Sequence, residues 1–99
     1  MTAQDMKPGH VVTFWSDTGQ RVGLVVAIGR RLVHIVHLRS AVNVTRRPVK
    51  PEDITRLHDD YTPARARGYA RRLLRAGGRD GVTKTARAGL AGIIEGGRR

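Results

Sequence analysis

The chain of 99 residues carries 19 Lys+Arg against 8 Asp+Glu, a formal net charge of +11, and no cysteine. This length suits one small domain with an appendage and a modest core, and the missing thiols exclude disulfides, thiolate zinc sites and cysteine nucleophiles. So large a positive charge points to nucleic acid, an anionic membrane or an acidic protein as partner.

No apolar run approaches the roughly 20 residues needed to span a bilayer, and the opening MTAQDMKPGH has no hydrophobic signal region. The expectation is a soluble, cytoplasmic protein that does not enter a membrane. Only Lys7, Lys50 and Lys84 are lysine. Forked guanidinium groups suit phosphate oxygens, although a GC-rich coding sequence also favours arginine.

HVVTFW (10–15) reads as a first strand, with Val12 and Phe14 on one face and Val11, Thr13 and Trp15 on the other. SDTG (16–19) signals a turn. QRVGLVVAI (20–28) alternates as a second strand, LVHIVHL (32–38) as a third, and AVNVTRRPV (41–49) as a fourth with Pro48 near its end. Pro51, Glu52 and Asp53 suggest one helical turn before a short closing strand, ITRL (54–57). A two-residue turn at Gly29-Arg30 would set Val26 against Val33 and Leu24 against Ile35. The core face would then hold Val22, Leu24, Val26, Val33 and Ile35. The opposite face would still carry Val25, Leu32 and Val36, too apolar for open solvent, so C-terminal helices should cover it.

Five short strands in about fifty residues predict a small, strongly bent barrel. KPGHVVTF, GQRVGLVVAI, LVHIVHL and VKPEDITRL together resemble an SH3-like or KOW-type small barrel over residues 7–58. Such domains often open with Pro-Gly, carry a glycine in strand two and end with a helical turn before the last strand. The resemblance implies a scaffold that commonly binds RNA, DNA or the proteins of transcription and translation, while other SH3-like barrels bind only peptides.

Near residue 59 the pattern changes, so the expected organisation is a barrel over 1–58 and a basic helical extension over 59–99, an α+β fold. In YTPARARGYARRLLRAGG (61–78), Thr62 is a natural N-cap, Pro63 fits the first helical position and Gly77-Gly78 can end the helix. Ala66, Tyr69, Ala70, Leu73 and Gly77 form one stripe. Arg67, Arg71 and Arg75 form another, with Arg65 and Arg72 beside them. A second helix is expected from about Thr83 to Glu95, in which Gly89 and Gly92 could permit close packing against the first.

The arginine stripe is the leading candidate site. Cations one turn apart can track a phosphate backbone, and no acid stands between Asp60 and Asp80. A solvated helix face would usually mix charge signs. Arg79, Lys84 and Arg87 extend the basic set. Arg30-Arg31 at a hairpin tip, Arg39 after a strand and Arg46-Arg47 near the end of another form a second group, since loops on a rigid scaffold often carry binding. Trp15 could stack on a base, but is expected to pack beneath an appended helix. Aromatics are only 4% of the chain, too few for a stacking platform, which favours duplex or structured nucleic acid.

His34 and His37, three apart on a strand, point to opposite faces and do not form a metal pair. No His–carboxylate or serine arrangement supports catalysis, and GGRDG lacks the P-loop lysine. The reading is a non-enzymatic, cofactor-free and metal-free nucleic-acid-binding protein of phage or bacterial accessory type, with DNA favoured over RNA. The rival is a protein-interaction or homo-oligomerisation module docking on a larger complex. A third reading, a small nuclease, rests only on charge and unplaced histidines.

Overall fold

The computed structural model describes residues 6–58 and 62–96. Residues 59–61, which take in the expected linker residues Asp59 and Asp60, lie outside the described residues. The elements are strands β1 (Val11–Ser16), β2 (Gly19–Ile28), β3 (Val33–Ser40) and β4 (Asn43–Val49), a 3-10 turn (Pro51–Asp53), strand β5 (Ile54–Leu57), and helices α1 (Pro63–Gly77) and α2 (Lys84–Gly96). This is the α+β arrangement expected from the two periodicities. The strands form one antiparallel sheet in the order β4-β3-β2-β1-β5. The sheet is not closed: β4 and β5 are its two edges.

Both faces of the sheet are apolar, and each has its own core. On the inner face, Val12 and Phe14 of β1, Val25 of β2, Val33 and Ile35 of β3, Val49 of β4 and Ile54 of β5 bury with Met6. Every strand contributes to this cluster, which requires the sheet to curl around it. On the outer face, Leu24, Val36 and Val44 bury beneath Ala70 and Leu73 of α1, Val82 of the connection, and Ala86 and Leu90 of α2. The helices therefore cover the second face, as its apolar character demanded.

The residues on each face differ from the expected set. Ile28 pairs with Val33, so residues 29–32 form the loop, and the Gly29 amide donates to the Leu32 carbonyl at 2.9 Å. A register irregularity between Val25 and Ala27 then sets Val25 opposite Ile35 and Leu24 opposite Val36. Val25 thus belongs to the inner core and Leu24 to the helix-covered face, the reverse of a two-residue turn. Val22 is 45% exposed and in neither core. Trp15 is also not under a helix: it is 53% exposed, opposite Gln20 on the outer face beyond the helices' reach.

The helix ends follow local chemistry. Thr62 Oγ1 accepts from the Arg65 amide at 3.1 Å, and Pro63 fills the first turn, where no intrahelical donor is required. Gly78 ends α1 with a positive φ of 63°, its amide donating to the Leu74 carbonyl. Thr83 caps α2, its Oγ1 accepting from the Ala86 amide at 3.2 Å. Gly89 does permit close packing, but against Val26 of β2 and not against α1, while a Cβ at Gly92 would meet nothing within 4 Å.

Gly68 lies mid-helix, and a Cβ there would also meet nothing within 4 Å. Gly68→Ala should therefore stabilise the protein by about 0.5–1 kcal/mol, since the backbone entropy cost of glycine is removed and no clash replaces it. A melting point that rises by several degrees would agree. A fall would show that α1 needs a backbone there that alanine resists.

Candidate functional site

The α1 arginines are held by a docked helix. Ala66, Ala70 and Leu73 are buried and Tyr69, Leu74 and Gly77 half-buried, which fixes the helix rotation against the sheet. At 100° per residue, Arg71, Arg72 and Arg75 then fall on the far side, and all three are exposed. Arg65 is exposed on one flank and Arg67 half-buried on the other. α1 contains no acidic residue, so the row presents one sign of charge on a rigid support.

The remaining basic candidates separate. Arg79 and Lys84 are exposed in and just after the connection between the helices. Arg87 has a structural engagement, since its Nη2 donates to the carbonyls of Gly78 at 3.1 Å and Arg79 at 3.3 Å, tying α2 to the end of α1. Arg30 and Arg31 are exposed in the β2–β3 loop, beside Leu32 and His34. Arg46 and Arg47 are not in a loop. They lie within β4, opposite Val36 and Ile35, and both are half-buried.

At the other end of β3 from Arg30 and Arg31, about 20 Å along the strand, the sheet's inner face opens into a cleft of about 480 Å³. Arg21, Arg39, Arg46 and Arg47 line it, with His37, Thr45, and Ser16, Asp17 and Thr18 of the β1–β2 turn. Period-two alternation explains most of this set, but Arg46 has the opposite parity and, like its partner Val36, belongs to the helix-covered face. The inner face of β3 runs Val33, Ile35, His37, that of β4 runs Val49, Arg47, Thr45, and that of β2 runs Val25, Gly23, Arg21. One end of each row is apolar core and the other is polar cleft. Gly23 keeps the crossing tight, because a Cβ there would overlap the Ile35 side chain.

The cleft groups are partly engaged with one another. Thr18 Oγ1 accepts from Arg21 Nε at 3.2 Å and Nη2 at 2.9 Å. Arg47 Nη2 pairs with Asp17 Oδ1 at 3.3 Å, the one ion pair among the described residues, and the Asp17 side chain is 90% exposed. His37 is 3% exposed and meets the Phe14 ring edge-on at a centroid distance of 5.1 Å. Its Nδ1 lies 3.3 Å from the Leu38 carbonyl oxygen, which can only accept, so Nδ1 carries the hydrogen and Nε2 the lone pair. Nε2 is buried with no hydrogen-bond partner among the described residues. Burial holds the ring below the ordinary imidazole value. The Leu38 carbonyl opposes this, and the guanidinium groups of Arg47, Arg21 and Arg39 reinforce it.

Sequence reasoning did not include Arg21; it put Arg46 and Arg47 in the fourth strand, where they lie, but grouped them and Arg39 with the loop arginines as one binding set. The signal that locates Arg21 and Arg47 is the switch from apolar to basic within one face of three successive strands. His34 is half-buried opposite Pro48, and His58 Nε2 is 3.0 Å from Thr13 Oγ1. No group of three or more His, Cys, Asp or Glu side chains among the described residues is placed to hold a metal ion. No described helix is long and apolar enough to cross a membrane. Comparison with protein-family models, curated proteins and solved structures finds no match to this chain.

Proposed function

We propose that this chain is a small, non-enzymatic nucleic-acid-binding protein. It grips the phosphate backbone through the α1 arginines, largely without reading sequence, and takes DNA in preference to RNA. The observation that carries this reading is the row Arg71, Arg72 and Arg75, exposed on a helix whose opposite side is buried against the sheet. A row held this way loses little freedom on binding. We read the sheet itself as an SH3-like scaffold, on the strength of the β5-β1-β2-β3-β4 order and the 3-10 turn before the last strand. A rival, a protein-docking role, draws support from Trp15, Val22 and Leu38, which stay exposed on the outer face.

The test is a duplex-binding titration at several salt concentrations, with Arg71, Arg72 and Arg75 all replaced by Glu. Each phosphate contact contributes about 0.9 to the slope of log K against log[salt], so three lost contacts should lower it by about 2.7. Affinity should fall for every duplex alike, with melting nearly unchanged because these side chains lie off the buried stripe. A folded triple variant with the original affinity and slope would make the row a solvated face and leave the docking role as the better reading.

A further inference from the structure

Trp15 is the chain's one tryptophan, and more than half of its surface stays in water on the face of the sheet that carries α1 and α2. Gln20 stands directly across the strand pair from it. Val22, the next β2 residue on that face, is a diagonal neighbour about 7–8 Å away and within reach of an indole ring. Continuing the Gly23–His37 register sets Leu38 beside Val22. Trp15, Val22 and Leu38 are all exposed, so they make one small apolar floor. Its surround is polar: Gln20, Thr13, and Arg56 opposite Thr13 on β5. Asp17, the acid closest in sequence to Trp15, pairs instead with Arg47, an inner-face residue.

Size and charge select what covers this floor. A standard protein–protein interface takes about 800 Å² and roughly 20–30 residues from each partner. The apolar floor supplies a small fraction of that. The net charge of +11 also opposes a second copy of the chain. One or two nucleobases fit the area. A base has the flat face on which indole stacks and a polar edge that the Gln20 amide can meet. The height of α1 then fixes which base. The α1 row points away from the sheet, and a helix with its side chains is about 10 Å thick, so a duplex resting on the row is held about that far above the indole. Paired bases inside a duplex present no free face. A strand that leaves the duplex can step down from the helix to the sheet.

We propose that Trp15 stacks on an unpaired base of a strand leaving a duplex held on the α1 row, with Val22 and Leu38 as the apolar floor beside it. This rests on the nucleic-acid reading above and narrows its substrate to a junction between double-stranded and single-stranded DNA. The α1 row holds backbone phosphates, and the indole detects that a strand has become unpaired.

The experiment measures binding of the full chain to one duplex with blunt ends, with a short single-stranded overhang, and with an abasic overhang of the same length. The abasic overhang keeps the added phosphates and removes the bases. The wild-type chain should bind the base-bearing overhang about tenfold more tightly than the abasic one, as stacking of a base on an aromatic ring implies. Trp15→Ala should lose that ratio and Trp15→Phe should keep part of it, with blunt-duplex binding unchanged in both. Trp15 is exposed, so neither variant should lower the melting point. The α1 triple variant should weaken all three complexes yet keep the ratio. Equal binding of the two overhangs overturns the proposal and leaves the α1 reading intact.

Because Trp15 is the chain's one tryptophan, its fluorescence reads the site directly. The base-bearing overhang should quench it over the concentrations that saturate binding, and the abasic and blunt duplexes should not. Saturable quenching by a free single strand, with no binding of blunt duplex, supports the base site and overturns only the duplex reading. Unquenched emission with the base-bearing overhang bound overturns the base site and returns this floor to the protein-docking role. A blue shift that grows with protein concentration alone assigns the floor to a second copy and equally overturns it.

Discussion

Ending the chain after Leu57 should abolish cooperative folding of the strand region or drive it out of solution. Leu24, Val36 and Val44 are fully buried, and the side chains over them belong to α1, α2 and their connection. Exposing a buried aliphatic side chain of this size costs roughly 1.5–3 kcal/mol. Three together reach about 5–9 kcal/mol, comparable with the whole stability of a small domain, about 5–15 kcal/mol. The exposed residues are also contiguous across β2, β3 and β4, which makes an adhesive patch. Calorimetry and sedimentation of the truncated chain decide the matter. A soluble, monomeric fragment with the melting point of the full chain would mean that the outer face contributes far less than its burial indicates.

Gly81→Ala should be the most damaging single-methyl change in the connection between the helices. A Cβ at Gly81 would overlap the carbonyl oxygens of Val42 and Gly77. Both are main-chain atoms in hydrogen-bonded structure, so neither can swing aside as a side chain would. The same residue accepts from the Val44 amide at 2.7 Å and donates to the Gly77 carbonyl at 2.8 Å. Relieving the overlap therefore disturbs both bonds. A loss of about 2 kcal/mol or more is expected, read as a melting point lowered by about 10 °C. Gly68→Ala is the matched control, since it adds the same methyl where nothing stands in its way. Equal melting of the two variants would show that the connection can shift freely.

The contrast between these glycines also shows what local sequence carries. Both are glycine in a basic stretch, and the backbone that the β3–β4 turn and the end of α1 bring to Gly81 distinguishes them. Strands, helices and caps were legible because each depends on residues close together: the alternation in HVVTFW, the Thr62-Pro63 start, the Gly77-Gly78 stop. The requirement for a cover on the outer face was legible too, as surplus hydrophobicity. Register was not, because the four-residue loop at 29–32 and the irregularity near Val26 together move β2 against β3. One step along a strand exchanges its faces. Trp15 went the same way: its side of β1 was read correctly, but how far the helices extend over the sheet is a tertiary fact. The α1 row could be read from spacing within one helix. The cleft could not, since it needs Arg21, His37 and Arg47 in line across three strands whose register had first to be known.

The short parallel bridge between Val44 and Val82 has a bearing on how this chain avoids its own copies. β4 is an edge strand, and such edges offer unpaired amides and carbonyls on which another chain can template. Here the Val44 amide donates to Gly81 and its carbonyl accepts from the Thr83 amide at 3.0 Å, so the connection between the helices occupies the place an intruding strand would take. An incoming segment must displace that connection before it can pair with β4 at Val44, and to do so it must begin lifting the helices from the outer face. Resistance to edge-to-edge growth is thereby coupled to the docking of α1 and α2, and a substitution that loosens the helices also unlocks one of the sheet's two edge strands.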